Sequence, residues 1–288
     1  MIKRTLAGLS LVLAAAGARA DDILDATAGA LYDSNVPRAQ LARDIKSDTA
    51  FQGTLAWGRF IPLSDGLTLR ATLDAGGEAY AHYSGLDNLA LGTSLSLRQK
   101  FGLGALAPWV SGWASGARLD YADKARDGWR YEFGVGAGKR LSEVWDVEAT
   151  YRYQHRTQDH PVAVVPGISG AVFDLQAHQA GLRSEYAMTD RMSLGAGFDY
   201  RRGDVASTTL RNFTIFTNST AIALDPVFGP DAVGYRIYAI TQAYRIGLSY
   251  ALGRSNSITT GIERWISRAR GGLDYYNTLV GASYVHAL

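Results

Sequence analysis

Between Trp129 and Arg156, apolar and polar side chains alternate over two consecutive runs. Trp129, Tyr131, Phe133, Val135 and Ala137 alternate with Arg130, Glu132, Gly134, Gly136 and Gly138. After Arg140–Val144 the same phase resumes: Trp145, Val147, Ala149, Tyr151 and Tyr153 alternate with Asp146, Glu148, Thr150, Arg152 and Gln154. A period of two means extended strands with one apolar and one polar face. In a soluble sheet the apolar face would be covered by a second layer. Here it is rimmed by Trp and Tyr, while the other face carries charges and glycines. The pattern predicts a transmembrane β-hairpin with lipid outside and a polar interior.

The same alternation runs through about twelve segments. The first covers 23–32, the second 49–60, the third 67–82, the fourth 89–101 and the fifth about 107–121. The opening hairpin supplies the sixth and seventh. The eighth covers 177–188, the ninth 192–202, the tenth 235–252, the eleventh 257–267 and the last Leu273–Leu288. Asp65-Gly66 suits a tight turn requiring positive φ. Connections after even-numbered segments are short, and those after odd-numbered ones run longer, up to the irregular stretch Gly203–Gly234. Short turns at one end and long loops at the other are the habit of outer-membrane barrels. Closure also leaves no strand edge exposed. The expected fold is all-β, a closed antiparallel transmembrane β-barrel of about 12 strands.

Residues 1–20 read as a cleavable signal peptide. Lys3 and Arg4 precede the apolar run Thr5–Ala16, and Ala18-Arg19-Ala20 is an A-x-A cleavage signal. The run is too short to cross about 30 Å of hydrocarbon as a helix. Residues 21–288 form the barrel. Removing Lys3, Arg4 and Arg19 from the 29 basic residues leaves 26 against 27 acidic ones. No basic tract points to nucleic acid. With no cysteine, a disulfide scaffold, a thiolate metal site and a cysteine nucleophile are excluded.

The C-terminal pattern Gly281-x-x-Tyr284-x-His286 resembles the assembly signal of Gram-negative outer-membrane β-barrels, porin-like in the broad sense; Leu288 stands where that signal usually ends in Phe. The stretch Tyr32-Asp-Ser-Asn-Val-Pro-Arg-Ala39 is similar to one in the barrels of surface lipoprotein assembly modulators and exopolysaccharide-linked outer-membrane proteins. The helical repeat domain that precedes the barrel in those modulators has no counterpart here. The resemblance implies Sec-type export to the cell outer membrane. It also implies contact with outer-membrane lipid, and with the barrel assembly machinery through Leu273–Leu288.

Gly134-Val-Gly-Ala-Gly-Lys139 has the composition of a phosphate loop, but that motif needs a strand-to-helix turn. These glycines sit on the polar face of a strand and leave room in a lumen. His178 and Ser184 share the outward face of the eighth segment, but six residues of strand is roughly 20 Å, beyond proton transfer. No cofactor or metal set is legible. On the polar faces eleven basic positions oppose nine acidic ones. Arg98, Arg118, Arg130 and Arg152, with Asp120, Glu132 and Glu148, are expected to form a lumen ladder on successive strands. Trp109, Trp113, Trp129, Trp145 and Tyr153 are expected at the lipid interface. The reading is a narrow passive channel for small polar or ionic solutes, weakly anion-selective. The alternatives are a structural, assembly or surface-export barrel without transport and, less favoured, a lipid-acting outer-membrane enzyme.

Overall fold

The computed structural model describes residues 22–287. Residues 1–21, which include the expected signal peptide, and Leu288 lie outside the described residues.

Thirteen strands form: β1 (Asp22–Asp33), β2 (Asp48–Ser64), β3 (Leu67–Tyr80), β4 (Asn88–Lys100), β5 (Trp109–Tyr121), β6 (Gly128–Ser142), β7 (Trp145–Arg156), β8 (Leu175–Thr189), β9 (Met192–Leu210), β10 (Ala221–Leu224), β11 (Ala232–Ala251), β12 (Asn256–Ala269) and β13 (Leu273–Ala287). Twelve of them pair antiparallel with both neighbours, and β1 closes the cylinder on β13 from Asp25↔Ala287 to Asp33↔Leu279. Strand β9 passes directly to β11, so β10 stands outside the twelve. It continues the sheet above the point where β12 ends: Ala221–Leu224 pair with Val233–Arg236, whereas β12 pairs with β11 only from Ala239 onward. Closure satisfies the backbone N–H and C=O groups between strands, which hydrocarbon requires.

The outward faces are apolar. Leu89, Leu91, Leu95 and Leu97 of β4 are exposed, as are Phe133 and Val135 of β6, and Tyr244, Ile246, Leu248 and Tyr250 of β11. In water such a belt would be an aggregation surface; against lipid tails it is the fitting solvent. Among the described residues no helix is long and apolar enough to cross a membrane.

The connections at one end are short at 65–66, 143–144 and 190–191, and longer at 101–108. At the other end lie the loops 34–47, 81–87, 122–127 and 157–174, the segment between β9 and β11, and the short connection 270–272, which departs from the expected long loops of this end. That segment is more ordered than its sequence suggests. β9 runs on to Leu210 and β11 begins at Ala232, with helix α1 (Phe213–Asn218) and β10 between them. Tyr235 and Ile237, whose alternation imitates a lipid face, point inward. They form a buried cluster with Ile215, Ile222, Val233 and Leu273 at the loop end.

Candidate pore and its mouth

The inward faces of the twelve strands line cavities of about 460, 290 and 620 Å³. Arg245 of β11 lines all three. Its guanidinium donates to Glu263 at 3.0 and 3.1 Å and to Asp199 at 3.3 Å. Register explains the contact, because Arg245 lies opposite Glu263 on β12 and opposite Gly197 on β9, two residues from Asp199. The largest cavity reaches toward the turn end, where Gly195, Gly247 and Ser249 leave the wall low. Gly195, Gly247, Gly261 and Gly281 fall in register across β9, β11, β12 and β13. With no side chains in that row, the lumen is wider on this wall.

The expected ladder forms only in part. Arg98, Arg130, Arg152, Glu132 and Glu148 face inward. Arg152 approaches Glu132 at 3.6 Å and donates to Gln179 at 2.7 Å, while Arg130 stands 3.9 Å from Glu132. Arg98 lies apart, its guanidinium 4.1 Å over the Trp109 ring. Arg118 and Asp120 face outward, because Arg118 is paired with Leu91 and Trp129, both on the lipid side. At the loop end Arg118 bridges Asp159 and Asp120 and lies over the Trp129 ring. There the outer wall meets water, so an outward ion pair is tolerated.

Strand β5 therefore carries the opposite phase from the one its sequence suggests. Trp109 and Trp113 are inside, not at the lipid interface. Each ring lies over a glycine of β6: a Cβ on Gly134 would meet Trp113 at 2.1 Å, and one on Gly138 would meet Trp109 at 2.5 Å. The glycine stripe of β6 is the floor on which two indoles rest. On the lipid side β5 presents only Val110, Gly112, Ala114 and Gly116 below its rim. Trp129 and Trp145 are outward and exposed, and Tyr153 is outward beside His178.

Three segments cross the loop end. Asn35 is buried and holds loop 34–47 in a turn, donating to the carbonyls of Ala39 at 2.8 Å and Tyr276 at 3.0 Å. The loop then crosses to β9, where Thr208 N–H donates to the Pro37 carbonyl and the Ser207 hydroxyl to that of Arg38. Arg38, at φ 54°, places its guanidinium 4.8 Å over the Trp265 ring inside the barrel. The segment between β9 and β11 reaches the far wall: buried Asp225 accepts from Arg126 at 2.7 Å, and Phe228 packs on Tyr83. Loop 157–174 adds buried Val172 and Phe173, with Arg126 4.1 Å over the Phe173 ring.

At this rim Asp48 accepts from His82 Nδ1 at 2.8 Å and from the backbone N–H groups of Thr49, His82 and Tyr83. Burial raises its carboxyl, but these donors outweigh burial and hold it below the ordinary carboxylate value. Burial pushes the Tyr83 phenol up.

Arg38 and Trp265 were not legible as lumen residues from sequence. The signal for Trp265 was its place opposite Ala243 in an inward phase; Arg38 lies in a loop with no period to read. On the lipid side, His178 contacts Tyr151 at 2.7 Å and Ser184 accepts from Trp145 Nε1 at 2.7 Å, so the two are engaged separately. Among the described residues no three His, Asp or Glu side chains converge as a metal site.

No protein family matches the chain by sequence, and no curated protein does. Solved structures match by shape. The COG4313 outer membrane channel from Pseudomonas putida F1 is 12% identical, with 93% of this chain and 95% of that one covered, at a TM-score of 0.63. The channel DcaP of Acinetobacter baumannii, 9% identical over 93% and 96%, reaches 0.45. The NanC porin, 11% identical over 91% and 98%, reaches 0.46. At this identity the likeness to the Pseudomonas channel is one of fold: the chain folds as an outer-membrane β-barrel.

Proposed function

We propose that the protein is a passive outer-membrane channel for small polar or ionic solutes, narrow and weakly anion-selective. The observation that carries this reading is the polar lumen: three cavities that meet at Arg245 inside a closed, lipid-clad wall. A barrel of this strand number, between the filled eight-stranded and the open sixteen-stranded cases, leaves a restricted passage. Charge along it is nearly balanced, which keeps ion preference weak. Arg38, Arg156 and Arg201, at the mouth cavity, have no carboxylate within 4.0 Å among the described residues. An entering solute therefore meets unneutralised cations, which favours anions. Deeper in, unpaired Arg98 and Arg183 are offset by Asp74, Glu148 and Glu185, which likewise have no cation within 4.0 Å among the described residues. The Pseudomonas barrel of the same fold is an outer membrane channel, which agrees with the reading.

The segments packed across the loop end support a second reading, a barrel that presents those loops to a surface partner without transport. Swelling of liposomes in isotonic arabinose, glucose and sucrose separates the two. The channel reading expects swelling that falls with solute size. No swelling above protein-free liposomes would leave the second reading.

A further inference from the structure

The 460 Å³ cavity beneath the mouth falls in the range of small-molecule sites, about 300–1,000 Å³. Its lining takes in the braced Arg245, Asp199 and Glu263, together with the carboxylates of Asp33 and Glu78, but three further arginines stand outside that bracing. Arg38, Arg156 and Arg201 all face it, and none has a carboxylate within 4.0 Å among the described residues. Arg201 spends one donor on the backbone carbonyl of Asp204 at 2.8 Å, and Arg156 one on that of Arg126 at 2.7 Å. The Arg156 Nε is buried with no hydrogen-bond partner, and its guanidinium lies 4.9 Å over the Tyr121 ring. An orphaned buried donor of a charged group is costly and points to an acceptor it is built to meet. The same cavity offers Glu78, held by Gln52 and Asn88, and the amide of Gln154. Carboxylates and amides accept from hydroxyls, and aromatic faces suit a ring.

We propose that this chamber is a binding site for a small polyhydroxylated carboxylic acid of monosaccharide size. Its carboxylate meets the guanidiniums of Arg156 and Arg201, its hydroxyls donate to Glu78, and its ring lies against Tyr121. Guanidinium forks match a carboxylate in the plane. The site rests on the channel reading only for how the solute arrives.

The test is calorimetric titration of the detergent-solubilised protein with glucuronate, glucose and acetate, beside planar-bilayer conductance of the same samples. Glucuronate carries charge and hydroxyls, glucose hydroxyls alone, acetate charge alone. Glucuronate is expected to bind at least tenfold more tightly than either. Arg201→Gln and Arg156→Gln should each weaken it at least tenfold with the β-rich circular dichroism spectrum kept, and Arg254→Gln, in the exposed turn 252–255, should not. If either variant loses its fold, Arg38→Gln, a loop substitution, is expected to weaken glucuronate alone. Equal binding of glucose or acetate, no binding, or full binding by folded variants overturns the site. Binding without conductance removes the channel reading and leaves the site standing.

Discussion

Replacing Arg245 by Ala tests bracing and conduction at one point. Arg245 makes three hydrogen bonds to Glu263 and Asp199, whose side chains are 17% and 8% exposed. Removing it leaves two carboxylates facing each other without a cation. Breaking a fully buried ion pair costs about 3–5 kcal/mol. Arg245 is itself 37% exposed to the water-filled lumen, so solvent screens part of that, and we expect about 1.5–3 kcal/mol. The loss should appear as a lower urea midpoint with an unchanged slope. The same change also clears the place where the three cavities meet and makes it locally negative. Conductance should rise, and the reversal potential in a salt gradient should move toward cations. Adding Asp199→Asn and Glu263→Gln removes the uncompensated charge and should return both stability and selectivity toward the parent. Conductance and reversal potential both unchanged in Arg245→Ala would refute the placement of this residue on the conducting path.

Four further outcomes follow from named contacts. Of the six tryptophans, Trp57, Trp129 and Trp145 face lipid and Trp109, Trp113 and Trp265 the lumen, so a membrane-resident quencher should dim only the first three, as single-tryptophan variants would show. Gly66→Ala, at φ +76° with a Cβ 2.6 Å from the Lys100 carbonyl oxygen, should lower stability by more than about 1 kcal/mol in urea unfolding. Asp48 has a carboxyl held below its ordinary 3.8. Its contribution is therefore present above that value and lost as pH falls below it, and Asp48→Asn should flatten the acid limb of a stability–pH curve. Arg130→Ala combined with Arg152→Ala frees Glu132 and should weaken anion preference; a lower melting temperature with unchanged selectivity would leave these arginines a bracing role alone.

Most of the barrel could be read from residue periods, because bilayer and lumen impose opposite solvents on alternate side chains. The β6–β7 hairpin shows this best: both faces are chemically pure, and the pairing of Gly134 with Arg152 and of Phe133 with Tyr153 follows directly. Strand β5 failed because its two faces are both mixed. Its large indoles look like interface anchors, and only the neighbour explains them: a strand with three successive inward glycines leaves a hollow that adjacent large side chains fill. Read together, the glycines at 134, 136 and 138 and the tryptophans at 109 and 113 would have set the phase. Arg118 misled for a different reason, since an outward charge is forbidden at the bilayer centre but permitted at the rim, and a period carries no depth. The chamber was least legible. Arg38 comes from a loop, and Arg156 and Arg201 come from β7 and β9, which flank β8; only the pairing register of those three strands brings them to one cavity.

The most direct measurement is the current through single proteins in a planar bilayer under a salt gradient. A narrow, weakly anion-selective channel gives small, ohmic conductance steps and a reversal potential shifted weakly toward anions, with the shift lost in Arg156→Gln combined with Arg201→Gln. A folded, inserted protein that passes no current in either orientation would contradict it.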